Sequence, residues 1–302
     1  MVREALDVGN FGLLRGLVRQ DMETLAEVLQ EPDVLKEALK ASENAVVKWP
    51  AAVFLFEILG CLSERQKWAA KATLVRLLMQ LASQISAKGI RSTERALTEY
   101  RPGLEEVEVE YTLENRVGKK HLDYQDIVMV YKRQKKRGVA LILDTSNSMQ
   151  GEKILIAVLA IGVLAYRLQG ENYAIISFNE DAEVLKPIEK EITIEDLLDK
   201  MLEIKAGGST NIRDALEMGL EQLSKNVAHE KVAILATDGW VTSGGDPLEI
   251  AAKFPRLHVI QVPFGIGGDS EVCLKLAKEG RGKRLYVEEL EELPRAVLEI
   301  LG

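Results

Sequence analysis

From Val139 onward the chain alternates two kinds of apolar pattern. Val139–Leu143, Tyr173–Phe178, Lys231–Ala236 and Leu257–Phe264 are short runs rich in branched and aromatic residues, as expected of strands buried on both faces. Ala182–Leu185 and Arg284–Val287 read as shorter strands. Between them, Lys153–Leu168, Ile194–Glu203, Ile212–Asn226, Pro247–Phe254, Ser270–Lys278 and a final helix over Leu290–Leu301 carry helical spacing. Strand-then-helix alternation of this kind predicts βαβ units, and hence a doubly wound α/β domain with a mostly parallel, Rossmann-like sheet. Ile154–Tyr166 is apolar nearly all round, which fits a helix sandwiched between that sheet and its neighbours.

Residues 1–100 read as helices throughout, an all-α N-terminal domain. Pro32 opens Asp33–Leu39 and Pro50 opens Ala51–Leu59, each with proline in the first turn. Ser63 through Gln66 supplies cap-forming residues for a long helix expected to reach Lys88 and stop at Gly89, with Leu74, Leu77, Leu78, Leu81 and Ile85 on one face. No repeat of fixed period is visible. Such a bundle is either a docking module or a plain packing partner of the next domain. Residues 101–136 form a partly β connector before a domain over 137–302. In it, Glu105–Tyr111 alternates acidic with apolar residues and predicts a strand with one wet face, and Asp126–Tyr131 predicts a second.

The net charge of −8 is unevenly placed: residues 139–302 carry 27 acidic against 17 basic side chains, while residues 1–100 balance at 13 each. An acidic domain repels nucleic acid and anionic membranes and attracts divalent cations. Lys132–Arg137 packs five cations into six residues, but without interleaved aromatics for base stacking it reads as a solvated connector. Cys61 and Cys273 lie in different helical segments, so no disulfide framework is expected and a reducing compartment follows. The first residues do not resemble a signal peptide, and the longest apolar run, of 13 residues from Ile154 to Tyr166, falls short of the roughly 20 needed to span a bilayer. A cytoplasmic protein is expected.

Three loops carry the candidate chemistry. The strand Val139–Leu143 stops at Asp144, and Ser146 and Ser148 follow at alternate positions. Oxygen-bearing side chains at i, i+2 and i+4 in a loop can converge on one point, although these residues also suit an ordinary strand-to-helix turn. Gly207-Gly208-Ser209-Thr210 precedes a helix and can present the Thr210 hydroxyl. Asp238, followed by Gly239, ends Lys231–Ala236 much as Asp144 ends the first strand. Ligands of open parallel sheets bind beyond the carboxyl ends of the strands. Two carboxylates there neutralise one divalent ion, hydroxyls add no charge, and Mg²⁺, Mn²⁺ or Ca²⁺ suits such hard donors. A position left open on the ion can take a carboxylate from a partner protein.

Asp144-x-Ser146-x-Ser148, Thr210 within Gly-Gly-Ser-Thr and Asp238 within Ala-Thr-Asp-Gly resemble, in order and spacing, the metal-ion-dependent adhesion site of von Willebrand factor type A (vWA) domains. The resemblance spans residues 137–302. It implies that Ser146, Ser148 and Thr210 bind the ion, with Asp144 and Asp238 acting directly or through water. Asn147 stands where the family often has glycine, a change to the turn's preferred conformation more than to its chemistry. The acidic-then-basic lead-in from Leu104 to Arg137 is similar to that of prokaryotic CoxE-like proteins, which work with MoxR-type AAA+ ATPases, so an adaptor role is implied. Trp240 reads either as a contact at the cleft or as a half-buried strand-end residue. An open Mg²⁺ site also suits a phosphoryl hydrolase, or a scaffold whose ion only supports folding. No P-loop, nucleophile elbow or HExxH motif is present, and His121, His229 and His258 are scattered. The glycine-rich stretch Phe264–Asp269 lacks GxGxxG spacing. A non-catalytic binding module is the expectation.

Overall fold

A computed structural model of the chain describes residues 2–84, 93–104, 106–121, 123–134, 137–150, 152–228, 230–262, 269–288, 292, 295–296 and 299–300. Ile85, the helix stop at Lys88–Gly89, Glu105, Lys135, Lys136, Gly151, His229, Phe264–Gly268 and most of the helix expected over Leu290–Leu301 lie outside the described residues. Two compact units emerge: residues 1–87 together with 137–302, and residues 88–136.

The first unit begins with six helices: α1 (Val2–Val8), α2 (Phe11–Gln20), α3 (Met22–Gln30), α4 (Pro32–Asn44), α5 (Lys48–Ile58) and α6 (Glu64–Gln84). Local chemistry sets their starts. The Asn10 and Asp21 side chains accept from Leu13 N and Thr24 N to cap α2 and α3, Pro32 occupies the first turn of α4, and the Ser63 N–H and hydroxyl both donate to Gln66 Oε1 ahead of α6. Helix α5 is apolar apart from Lys48 at its start and Glu57 near its end, and it packs against α2, α4 and α6. Leu74, Leu77, Leu78 and Leu81 of α6 are buried as their spacing predicts.

In the second unit, β1 (Thr93–Glu99), β2 (Glu106–Val107), α7 (Val109–Arg116) and β3 (Val128–Gln134) form a three-stranded antiparallel sheet in the order β1-β3-β2 with one helix. Two expectations are corrected here. Residues 93–99 are a strand rather than helix, because β3 supplies a full antiparallel partner some thirty-five residues on, from Thr93 opposite Gln134 to Glu99 opposite Val128. The strand expected over Glu105–Tyr111 survives only as Glu106–Val107, and the chain then turns into α7. Thr112 decides this locally: its hydroxyl donates to Glu108 O one helical turn back and accepts from Val128 N at the start of β3. That tie needs a helix, and the alternating acids accommodate it.

The remainder of the first unit is the α/β layer structure: β4 (Arg137–Asp144), α8 (Glu152–Arg167), β5 (Asn172–Phe178), β6 (Ala182–Lys186), α9 (Ile194–Leu202), α10 (Ile212–Ser224), β7 (Glu230–Thr237), α11 (Leu248–Ala251), β8 (Leu257–Gln261), α12 (Ser270–Glu279) and β9 (Arg281–Tyr286). The sheet order is β6-β5-β4-β7-β8-β9, all parallel except the edge strand β6. Chain order reverses between β4 and β7, so the cleft expected in a doubly wound fold lies beyond the carboxyl ends of those two strands. Helix α11 is shorter than the pattern over Pro247–Phe254 predicts and ends in turns, and β9 starts earlier than expected.

Alternate residues of the strands divide between two cores. Ala140 and Ile142 share one cluster with Ile212, Ala215 and Leu216 of α10 and with Cys273 and Leu276 of α12. The opposite face carries α8, which touches β4 and β7 on one side and α5, α6 and α9 on the other. This is why Leu155 through Ala165 are buried nearly without interruption. The N-terminal helices thus cover a face of α8 that would otherwise be an exposed apolar stripe.

Shared burial predicts shared unfolding. Phe54 in α5 is fully buried, and Phe54→Ala should cost about 3–5 kcal/mol. Under urea, the expected result is a lower midpoint for Trp240 fluorescence as well as for helical circular dichroism, measured with Trp49 and Trp68 replaced by Phe. A Trp240 transition that stays in place would show the helices and the α/β layers to be independent.

Candidate functional site

The site is built on the parallel pairing of β4 with β7, where Leu143 lies opposite Ala236 and the next residues leave the sheet together. Asp144 is wholly buried. Its Oδ1 accepts from Ser146 N at 2.9 Å and its Oδ2 from the Thr237 hydroxyl at 2.5 Å. Thr145 anchors the loop sideways, its N–H and its hydroxyl both donating to Phe178 O at 2.8 Å. A single 3₁₀ turn, Asn147–Met149, then brings Ser148 back so that its Oγ lies 3.1 Å from Ser146 Oγ.

Asp238, equally buried, comes in from β7. Its Oδ1 accepts from Ser148 Oγ at 3.2 Å and from Trp240 N at 3.1 Å, and its Oδ2 pairs with Lys153 Nζ at 2.8 Å. Asp144, Ser146, Ser148 and Asp238 therefore form one continuous polar path. The third loop is stitched to it through the backbone: Gly207 N donates to Thr145 O at 2.8 Å and Asn147 N to Gly208 O at 3.0 Å. Thr210, almost fully buried, is held by Thr242, whose hydroxyl accepts from Thr210 N at 2.7 Å. Thr210 lines a cleft of about 480 Å³ together with Asn147, Ser148, Lys153, Trp240 and Thr242.

The turn after Asp238 requires glycine. Gly239 has φ +83°, and a Cβ there would stand 2.4 Å from Asp269 O and 2.6 Å from Cys273 Sγ. Cys273 itself is buried beneath the loop, its thiol pushed up to about 12 chiefly by desolvation, so it is inert filler. Cys61 and Cys273 are both free.

The family model for the von Willebrand factor type A domain matches residues 139–297. The chain belongs to the von Willebrand factor type A family. Among solved structures it is similar to an aerotolerance-related membrane protein from Bacteroides fragilis, at 19% identity over 54% of this chain and 98% of that one, with a TM-score of 0.46. It is also similar to BatB from Bacteroides thetaiotaomicron, at 22% identity over 54% of this chain and 96% of that one, TM-score 0.44. A third is proximal thread matrix protein 1 from the mussel byssus, in a form with a zinc-occupied MIDAS motif, at 17% identity over 55% of this chain and 45% of that one, TM-score 0.47. No curated protein matches the chain.

In this vWA domain two of the five sequence-predicted residues, Ser148 and Thr210, line the cleft, and Asp144, Ser146 and Asp238 connect to it through the hydrogen-bonded path that includes Ser148. Trp240 lines the same cleft and is 40% exposed. The donors are two carboxylates and three hydroxyls, all hard oxygens, a set that fits Mg²⁺, Mn²⁺ or Ca²⁺. Among the described residues no group of three or more His, Cys, Asp or Glu side chains gathers, so hydroxyls would have to complete any coordination. His258 is buried on β8, accepts from Lys283 N through Nδ1, and has its pKa lowered to about 4 by desolvation, while His121 is exposed in the second unit. Neither lines the cleft. No described helix is long and apolar enough to cross a membrane.

Sequence reasoning passed over Thr237, Thr242 and Lys153. Lys153 left a readable signal, because it sits in the first turn of α8, where the helix dipole disfavours a cation. An anion beside it offsets that cost, and Asp238 is such an anion.

Burial raises the Asp144 pKa to about 6 from 3.8, against the opposing hydrogen bonds from Ser146 and Thr237. The folded protein thus holds this proton over a range in which the unfolded chain has lost it. Between about pH 4 and 6 the native state binds more protons, so this group's contribution to stability falls as pH rises. In chelator, the melting temperature of the wild type relative to Asp144→Asn should rise on acidification from pH 7 to 5. A flat difference would show that burial of Asp144 carries no such cost.

Proposed function

We propose that this vWA domain is a non-catalytic binding module that holds a divalent cation, Mg²⁺ in the first instance, and through it an acidic side chain of a partner protein. Domains of this family commonly mediate metal-dependent protein interactions. The observation that carries the reading is the polar path Asp144–Ser146–Ser148–Asp238 opening into a cleft that Thr210 also lines. Ser146, Ser148 and Thr210 would hold the ion through neutral hydroxyls, and Asp144 and Asp238 would balance its charge. When bound, the ion supplies a Lewis-acidic position that a carboxylate oxygen from outside completes.

The chain's own residues prepare that encounter. Thr237 and Ser146 N orient Asp144, Trp240 N orients Asp238, and Thr242 holds the Thr210 loop. The half-exposed Trp240 ring offers the partner an apolar contact beside the ion. Among the described residues that line the cleft there is no histidine or cysteine to act as base or nucleophile. The lead-in before the domain resembles that of CoxE-like proteins, which makes a MoxR-type AAA+ ATPase the proposed partner and this chain its adaptor.

Titration calorimetry with MgCl₂ and MnCl₂ tests the ion. One site per chain is expected, lost in Asp144→Ala and weakened by about tenfold or more in Ser146→Ala. Capture from native lysate tests the partner: an AAA+ ATPase should be retained with Mg²⁺ and released by chelator, and Asp144→Ala should not retain it. Equal capture in chelator would overturn ion-mediated binding, and ion-dependent capture of some other protein would overturn the ATPase assignment alone. Mg²⁺-dependent phosphate-ester hydrolysis abolished by Asp144→Ala would make the domain an enzyme.

A further inference from the structure

Lys153 lies inside the polar cluster, yet it matches none of the oxygen ligands. Its ammonium makes an ion pair of 2.8 Å with Asp238 Oδ2 and donates to Ser148 O at 2.8 Å, and its side chain is only 13% exposed. Asp238 has no exposed surface, and both of its oxygens are engaged: Oδ1 by Ser148 Oγ and Trp240 N, Oδ2 by Lys153. A bound divalent ion would share the cluster with this ammonium. Two like-signed charges a few ångströms apart in a buried setting repel strongly, because little water screens them.

We propose that Lys153 is a built-in competitor for the cation: its ammonium compensates Asp238 in the ion-free site and thereby weakens divalent ion binding. The inference rests on the reading of this cleft as a cation site. Three features give it shape. First, Asp144 and Asp238 would otherwise leave two uncompensated carboxylates together in the protein interior, and a single fixed positive charge leaves the site at about one net negative charge when both are ionised. The loops can then stay assembled without the ion. Second, the site retains enough negative charge to attract a cation, so the lysine attenuates binding without abolishing it. Third, Lys153 is itself one of the residues that line the cleft. Occupancy of the site is therefore graded by cation concentration, with the threshold set by a residue that is not itself a ligand.

Calorimetric titration of the full chain with MgCl₂ and MnCl₂ separates the possibilities, using wild type, Lys153→Met and Lys153→Arg. Lys153→Met removes the charge and keeps most of the stem. Its dissociation constant for either ion should fall by about tenfold or more, while Lys153→Arg, which keeps the charge, should remain closer to wild type. Melting curves give an independent readout: in chelator Lys153→Met should melt below wild type, and saturating Mg²⁺ should raise its melting temperature by a larger increment. Circular dichroism in chelator verifies that the variant is folded, and should it prove unfolded, Lys153→Gln takes its place. An unchanged or larger dissociation constant in the folded charge-removed variant overturns the proposal. If wild type and the charge-removed variant alike bind neither ion at millimolar concentration, the cation site itself is wrong, an outcome distinct from a failure of Lys153 alone.

Discussion

The parallel pairing of β4 with β7 is the constraint from which the site follows. It places two strand ends side by side where the chain order of the sheet reverses, so that Asp144 and Asp238 leave the sheet in the same direction. Both are fully buried, and two buried carboxylates repel one another while also losing hydration. The surrounding polar groups answer that cost. Thr237 and the Ser146 amide meet Asp144, while the Trp240 amide, Ser148 and the Lys153 ammonium meet Asp238. The residues that matter most after the five proposed ligands are thus those that make the carboxylate pair tolerable.

Backbone bonds make the three loops behave as a unit. Thr145 O takes Gly207 N, Gly208 O takes Asn147 N, and Thr210 O takes Thr242 N and Ser243 N. Asp238 O takes Asp269 N, and the Asp269 side chain in turn caps α12. Asp238 is thereby tied to the start of α12, against which Gly239 packs too closely for any side chain. On the other face, α8 begins with Lys153 beside Asp238 and runs on between the sheet and helices α5, α6 and α9. The cleft thus abuts the first turn of α8, and Asp238 behind it is tied to that of α12, two helices held by different parts of the core.

Burial was legible along the chain, because strand and helix leave different periods in the apolar pattern. The run Val139–Leu143 had to be a strand covered on both faces, and Ile154–Tyr166 a helix covered all round. Acids at the ends of two such strands, with a glycine-flanked hydroxyl loop between them, also single out Asp144, Ser146, Ser148, Thr210 and Asp238 as candidate ligands. The failures have a common form. Glu105–Tyr111 had a strand's period, yet the Thr112 hydroxyl bridging Glu108 O to Val128 N selects a helix, and residues 93–99 are a strand only because β3 is there to pair with them.

Local pattern therefore determined the α/β class, the positions of most elements and the identity of the oxygen-bearing residues, since each depends on a residue and its near neighbours. Tertiary structure alone decided that the N-terminal helices cover α8, that Thr237 and Thr242 hold the Asp144 and Thr210 loops, and that Lys153 reaches Asp238. Those facts depend on which distant segments the chain path brings within a few ångströms of each other. Periodicity records how deeply a side chain is buried, and it carries no record of the atom it meets there.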